Sequence, residues 1–147
     1  MQLITIDFET FYNKKEYSLS KLTTEAYIND PRFEIIGVAV KVNDGETKWW
    51  SGSYEATKLW LEQFDWGNSL VLAHNAVFDG AILSWRLGIH PAGWLDTLSM
   101  ARAVHGVDAG GSLAALAERY GLGVKGTEVN DADNKHRWDF TAAELAS

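Results

Sequence analysis

The segment that most constrains this chain comes first: Gln2-Leu3-Ile4-Thr5-Ile6-Asp7-Phe8-Glu9. From Gln2 to Phe8 the side chains sort into two sets, Ile4, Ile6 and Phe8 against Leu3, Thr5, Asp7 and Glu9. A period of two is that of a strand, whose side chains point alternately to opposite faces. The strand closes on Asp7 and Glu9, which share a face and project together from its end. Two unpaired carboxylates at that spacing repel each other, and a hard cation, which prefers oxygen ligands, relieves the repulsion. A solvated acidic strand end before a loop accounts for the pair equally well when the motif stands alone.

Downstream, the pattern alternates between strand and helix. Residues 11–30 are polar and mixed, a loop with a short helix. Phe33 to Val42, rich in Ile and Val, reads as a second strand. Asn43-Asp44-Gly45 is a hairpin signal, and Glu46 to Trp50 returns as a third strand. Tyr54 to Phe64 carries Leu59, Trp60 and Phe64 at helical spacing, and Leu70 to Ala73 is a buried strand. Ala76 to Leu87 predicts a helix with Phe78, Ala81, Ile82 and Trp85 on one stripe and Gly88 closing it. Thr97 to His105 predicts another helix, ended by Gly106. Ser112 is the expected N-cap for Leu113 to Tyr120, with Gly121 as C-cap. Residues 123–138 are polar and irregular. Three strands followed by alternating helix and strand predict an α/β sandwich around a mixed sheet, in one domain spanning residues 1–147.

Composition narrows the chemistry. With no Cys, the chain has no disulfide, thiolate ligand or Cys nucleophile. No stretch is long enough for a membrane span, and the N-terminus lacks the basic and apolar regions of a signal peptide. The expected location is the cytoplasm. A net charge of −7 counts against a simple DNA-gripping module, which is usually basic. It does not count against a nuclease whose positive charge comes from bound metal.

A second motif, His74-Asn75-Ala76-Val77-Phe78-Asp79, lies where the apolar run of residues 70–73 passes into a helix. If the helix begins near Ala76, Asn75 and Asp79 fall one turn apart. Alone, this is a capping Asn with a surface Asp. Together, Asp7-x-Glu9 and Asn75-x-x-Phe78-Asp79 resemble the first two motifs of the DEDD superfamily of 3′→5′ exonucleases. Ile6-Asp7-Phe8-Glu9-Thr10, Tyr27 to Pro31 with Phe33-Glu34-Ile35-Ile36, His74-Asn75-Ala76-Val77-Phe78-Asp79, Asp96-Thr97 and Ser112 to Tyr120 resemble a narrower group, the proofreading domains of bacteriophage family A DNA polymerases.

The resemblance implies a ribonuclease H-like fold, with a mixed central sheet flanked by helices. It also implies a two-metal phosphodiesterase, with Mg²⁺ or Mn²⁺ held by the catalytic residues Asp7, Glu9 and Asp79. Asp7 would bridge both ions, Glu9 would hold the nucleophile-side ion, and Asp79 would support the second. Thr10, Asn75 and Phe78 would position the terminal nucleotide. The implied partners are a single-stranded DNA 3′ end and a polymerase domain outside this chain.

The family's third motif, Tyr-x-x-x-Asp or His followed five residues later by Asp, is missing. Tyr120 is followed four later by Val124, and His136 five later by Thr141. Thr141-Ala142-Ala143-Glu144 is a capping box that opens a helix only a turn before Ser147. The expectation is a domain truncated at its C-terminus, with an incomplete metal site and impaired hydrolysis. Two other readings stay open: a stand-alone exonuclease acting on RNA or oligonucleotides, and a non-catalytic nucleic-acid-binding or interaction module that keeps the fold. The sequence leaves the oligomeric state open.

Other features carry plainer expectations. Most of the seven Trp are expected to pack in the core or to be partly buried. His90, His105 and His136 are expected on the surface or in loops, and His74 beside the site. Asp96 is expected to cap the helix after it. Lys14, Lys15 and Lys21 are expected in a solvated loop.

Overall fold

The computed structural model describes residues 1–122, 132–141 and 144. Among these, a five-stranded mixed sheet has the order β3-β2-β1-β4-β5. The strands are β1 (Gln2–Thr10), β2 (Ile35–Val42), β3 (Lys48–Trp50), β4 (Ser69–Ala73) and β5 (Gly93–Asp96). The helices are α1 (Thr24–Asn29), α2 (Tyr54–Glu62), α3 (Ala76–Ala81, running on as a π-helical turn through Ile82–Arg86), α4 (Thr97–His105) and α5 (Leu113–Arg119).

The period-two reading of the first segment holds. Ile4, Ile6 and Phe8 are buried, whereas Asp7 and Glu9 are exposed. β2 runs antiparallel to β1, and the tight turn at Asn43, with φ of 49°, then folds β3 back antiparallel on β2. The remaining strands run parallel to β1, each reached through a helical connection. β1 is therefore central, and the carboxyl ends of β1, β4 and β5 open at one edge of the sheet.

Caps follow the sequence closely. Ser53, Asp96 and Ser112 accept hydrogen bonds from the first turns of α2, α4 and α5. Gly88 and Gly121 take positive φ values of 64° and 66° at helix ends, where a Cβ would be strained. Thr141 and Glu144 exchange both hydrogen bonds of a capping box. The expected helix body after Thr141, and most of the irregular stretch 123–138, lie outside the described residues.

Three expectations about burial are corrected. In α2, Leu59 is exposed; Thr57 and Leu61 are the residues that turn inward, with Trp60 and Phe64 partly buried beside them. In α3, the Leu87 N–H reaches back five residues to the Ile82 carbonyl. That wider turn shifts the last residues of the helix out of phase with a 3.6-residue wheel. Trp85 therefore swings into solvent, while Leu83 and Leu87 become buried. Finally, Trp49, Trp85, Trp94 and Trp138 are all exposed, so four of the seven tryptophans are neither core nor partly buried. Only Trp66 is buried, with its indole N–H bonded to the Leu61 carbonyl.

Candidate active site

β1 is longer than its parallel neighbour. Pairing with β4 ends at Thr5 opposite Leu72, whereas β1 continues to Thr10 along β2. Beyond Thr5 the β4-facing edge of β1 has no strand partner in β4, and its N–H groups need acceptors. Asp79 supplies one: its carboxylate accepts the Phe8 N–H at 3.1 Å. The side chain is only 3% exposed. Asp79 thus pins the first turn of α3 to the overhanging strand, between the two residues that carry the exposed carboxylates.

Backbone geometry puts it there. β4 stops at Ala73, and Asn75 adopts a left-handed conformation (φ 65°, ψ 64°) that turns the chain into α3 at Ala76, as the motif's spacing predicts. The neighbouring strand end holds this turn. Asp96 accepts from Asn75 N at 3.0 Å and from Leu98 N at 2.9 Å, so one carboxylate caps α4 and clamps the β4–α3 junction together. Burial acts to raise the Asp96 pKa, but the backbone N–H groups of Leu98, Asn75 and Ala76 and the Ser99 hydroxyl hold it below the usual range. Beside it, His74 Nδ1 meets Thr97 Oγ1 at 2.9 Å.

The electrostatics link the three acids. Burial pushes the Asp79 carboxyl up to about 8, the Phe8 N–H works against this, and the charges of Asp7 and Glu9 add to it. Asp79 therefore feels both exposed carboxylates, and the three are the candidate ligands. They form an all-oxygen donor set suited to a hard cation, which would relieve that repulsion. Donor chemistry fits Mg²⁺ or Mn²⁺. The side chains are not closed into a ligand cluster, however: among the described residues no three His, Cys, Asp or Glu side chains are grouped to hold a metal ion.

The expected substrate contacts are more dispersed. A bulge between Glu9 and Thr10 bends the strand end. Thr10 Oγ1 then meets the Tyr27 hydroxyl at 2.8 Å, and the same hydroxyl donates to the Phe11 carbonyl. Phe78 is half-buried, with its ring 5.9 Å from that of Tyr27. Asn75 is exposed, and its backbone rather than its side chain is engaged by Asp96.

Solved structures share this architecture. Brucella melitensis NrnC, in a structure bound to pGG, superposes with a TM-score of 0.64 at 16% identity, over 98% of this chain. The fold is ribonuclease H-like. The chain spans 63% of the length of that NrnC chain. No protein-family profile matches the sequence, and no curated protein matches it. No helix among the described residues is long and apolar enough to cross a membrane.

Sequence reasoning missed a second structure at the end of β1. His136 stacks on Phe11, with centroids 4.0 Å apart and planes 6° apart, and Trp138 stacks on His136 at 4.5 Å and 5°. Glu34 anchors the segment by accepting from Arg137 N at 2.9 Å and pairing with His136 Nδ1. More than a hundred residues separate these partners, so no local pattern announces the contact.

Proposed function

We propose that this chain is a metal-dependent 3′→5′ exonuclease that shortens short single-stranded oligonucleotides. The observation that carries the reading is Asp79, buried against the Phe8 N–H and coupled to Asp7 and Glu9 at the carboxyl edge of a ribonuclease H-like sheet. NrnC, which shares the fold, is seen with pGG, a phosphorylated dinucleotide, and this supports an oligonucleotide substrate.

In this reading Asp7, Glu9 and Asp79 hold the divalent ions. Once bound, Mg²⁺ or Mn²⁺ supplies the positive charge that activates water and stabilises the leaving 3′-oxygen. The chain's own residues set the geometry. Asp79 ties α3 to β1 and so fixes how far apart the acids stand. It must lose its proton to serve as a ligand, so metal binding strengthens as pH rises through the Asp79 titration. Asn75 and Phe78 flank the approach to these acids. Thr10 shares its hydroxyl with Tyr27, which holds the bulged strand end in place.

A second reading, the proofreading part of a DNA polymerase, is favoured by the sequence resemblance around Asp7, Glu9 and Asp79. The two are separated by offering 5′-labelled RNA and DNA oligomers of two to seven nucleotides, and a primer–template with a mismatched 3′ end, in Mn²⁺. We expect the short oligomers to be bound and shortened from the 3′ end, with both properties lost in Asp7→Ala. Preference for the mismatched primer would favour proofreading. Shortening from the 5′ end, or full activity in Asp7→Ala, would defeat both.

A further inference from the structure

The Phe11–His136–Trp138 stack has a feature that packing alone does not explain. It begins inside the core, where Phe11 is 5% exposed, and ends in solvent, where Trp138 is 71% exposed. Large indoles are normally covered, because their apolar area is costly to leave in water. Here the indole also stacks on a backed ring. His136 lies between two rings and pairs with Glu34, and the segment is tied to the loop after β1 at both backbone and side chains. Asn134 N donates to the Tyr12 carbonyl at 2.7 Å, and Lys14 N to Asp133 at 2.8 Å. An exposed aromatic plane that continues a parallel stack is the geometry in which nucleobases bind single-strand proteins.

Position and charge name the occupant. Phe11 follows Glu9 by two residues across the bulge, at most about 7 Å of chain. The outer face of Trp138 lies two further ring spacings away, of 4.0 and 4.5 Å. A short strand with its 3′ end at the carboxylates can span that length. The two segments that build the platform also carry Lys14, Lys15, Lys135 and Arg137, in a chain whose net charge is −7. The same stretch holds Asp133 and Asp139, and Lys135 pairs with Glu144 at 3.3 Å, so Lys14, Lys15 and Arg137 are the cations left to meet a phosphodiester strand whose bases stack.

We infer that the exposed face of Trp138 is a stacking subsite for a base upstream of the 3′-terminal nucleotide. The inference rests on the proposed exonuclease reading and deepens it. Trp138 would give the protein a preference for strands long enough to reach from the carboxylates to the platform, irrespective of base identity, because every base has a π-face.

The test measures binding of 5′-fluorescein oligothymidylates of two, four and six nucleotides in Ca²⁺, to suppress cleavage. The proteins are wild type, Trp138→Ala, Trp138→Phe and Trp85→Ala, which removes an exposed indole outside the stack. Trp138→Ala should weaken the longer oligomers about 5- to 100-fold. It should leave the dinucleotide within about twofold of wild type. Trp138→Phe should restore most of the binding, and Trp85→Ala should match wild type. The inference is overturned if Trp138→Ala leaves every length unchanged, or weakens all lengths equally, or if Trp138→Phe is no better than Ala. A wild-type chain that binds no length would instead remove the exonuclease reading, and the subsite with it.

Discussion

Asp79 is where burial and charge conflict most sharply. Its value of about 8 in the folded chain stands far above the roughly 3.9 of an unfolded Asp. The folded state therefore holds more protons than the unfolded state between these limits. In the absence of metal, stability should be greatest below about pH 4 as far as this group is concerned, and should fall as pH rises towards about 8. Asp79→Asn keeps an oxygen for the Phe8 N–H and removes the charge. Without divalent ions the variant should melt above wild type at pH 8 and close to it at pH 4. The same substitution should cut Mn²⁺-dependent cleavage by more than about 100-fold, since even outer-shell partners of metal ligands are worth 10- to 100-fold. Melting curves across pH with a chelator, and initial rates with Mn²⁺, measure the two effects. An equal melting difference at both pH values would show that Asp79 is not the group concerned.

Elements meet at the strand ends, and Asp96 joins two of those ends. Its carboxylate serves Leu98 N in α4 and Asn75 N before α3. Replacing it with Ala removes a cap, worth about 0.5–2 kcal/mol, and also strips an acceptor from a left-handed Asn. Asp96→Ala should therefore destabilise by about 1–3 kcal/mol in denaturant titrations, with Asp96→Asn recovering part of it. A loss confined to a few tenths would mean that the clamp on Asn75 is idle. Local signals made this level of structure legible. The alternation in β1, the Asn-Asp-Gly turn and the Ser and Asp caps all act within a few residues, and each lies where its pattern puts it. The stripe through Trp85 failed because one π-helical hydrogen bond, from Leu87 to Ile82, resets the phase of the wheel. Nothing in a 3.6-residue pattern signals that bond. The exposure of Trp49, Trp94 and Trp138 was equally hidden, because apolar content says how much surface seeks cover and not which side chains obtain it.

For the molecule as a whole, the acids gather from distant parts of the chain, and binding there should be felt globally. A divalent ion that favours the folded state stabilises it by about 2.7 kcal/mol at a hundredfold excess over its dissociation constant. Mn²⁺ should raise the Tm of wild type, a chelator should reverse the shift, and Asp7→Ala should show neither. An unchanged wild-type Tm at millimolar Mn²⁺ would leave the three carboxylates without a metal. The approach of Asp79 to the end of β1 was legible at this scale only because two motifs stood together, whereas the docking of His136 on Glu34 depends on tertiary closure that no motif encodes. The central place of β1 bears on synthesis as well. The ribosome makes this strand before either of its lateral partners, and Gln2 has to wait for Ser69 to complete its parallel ladder. Until then the nascent chain carries a strand with an open edge, the kind of surface that recruits chaperones or other nascent chains. Arrested nascent chains should gain protease resistance only after Ala73 has left the exit tunnel, so that the acidic strand end matures late although it is translated early.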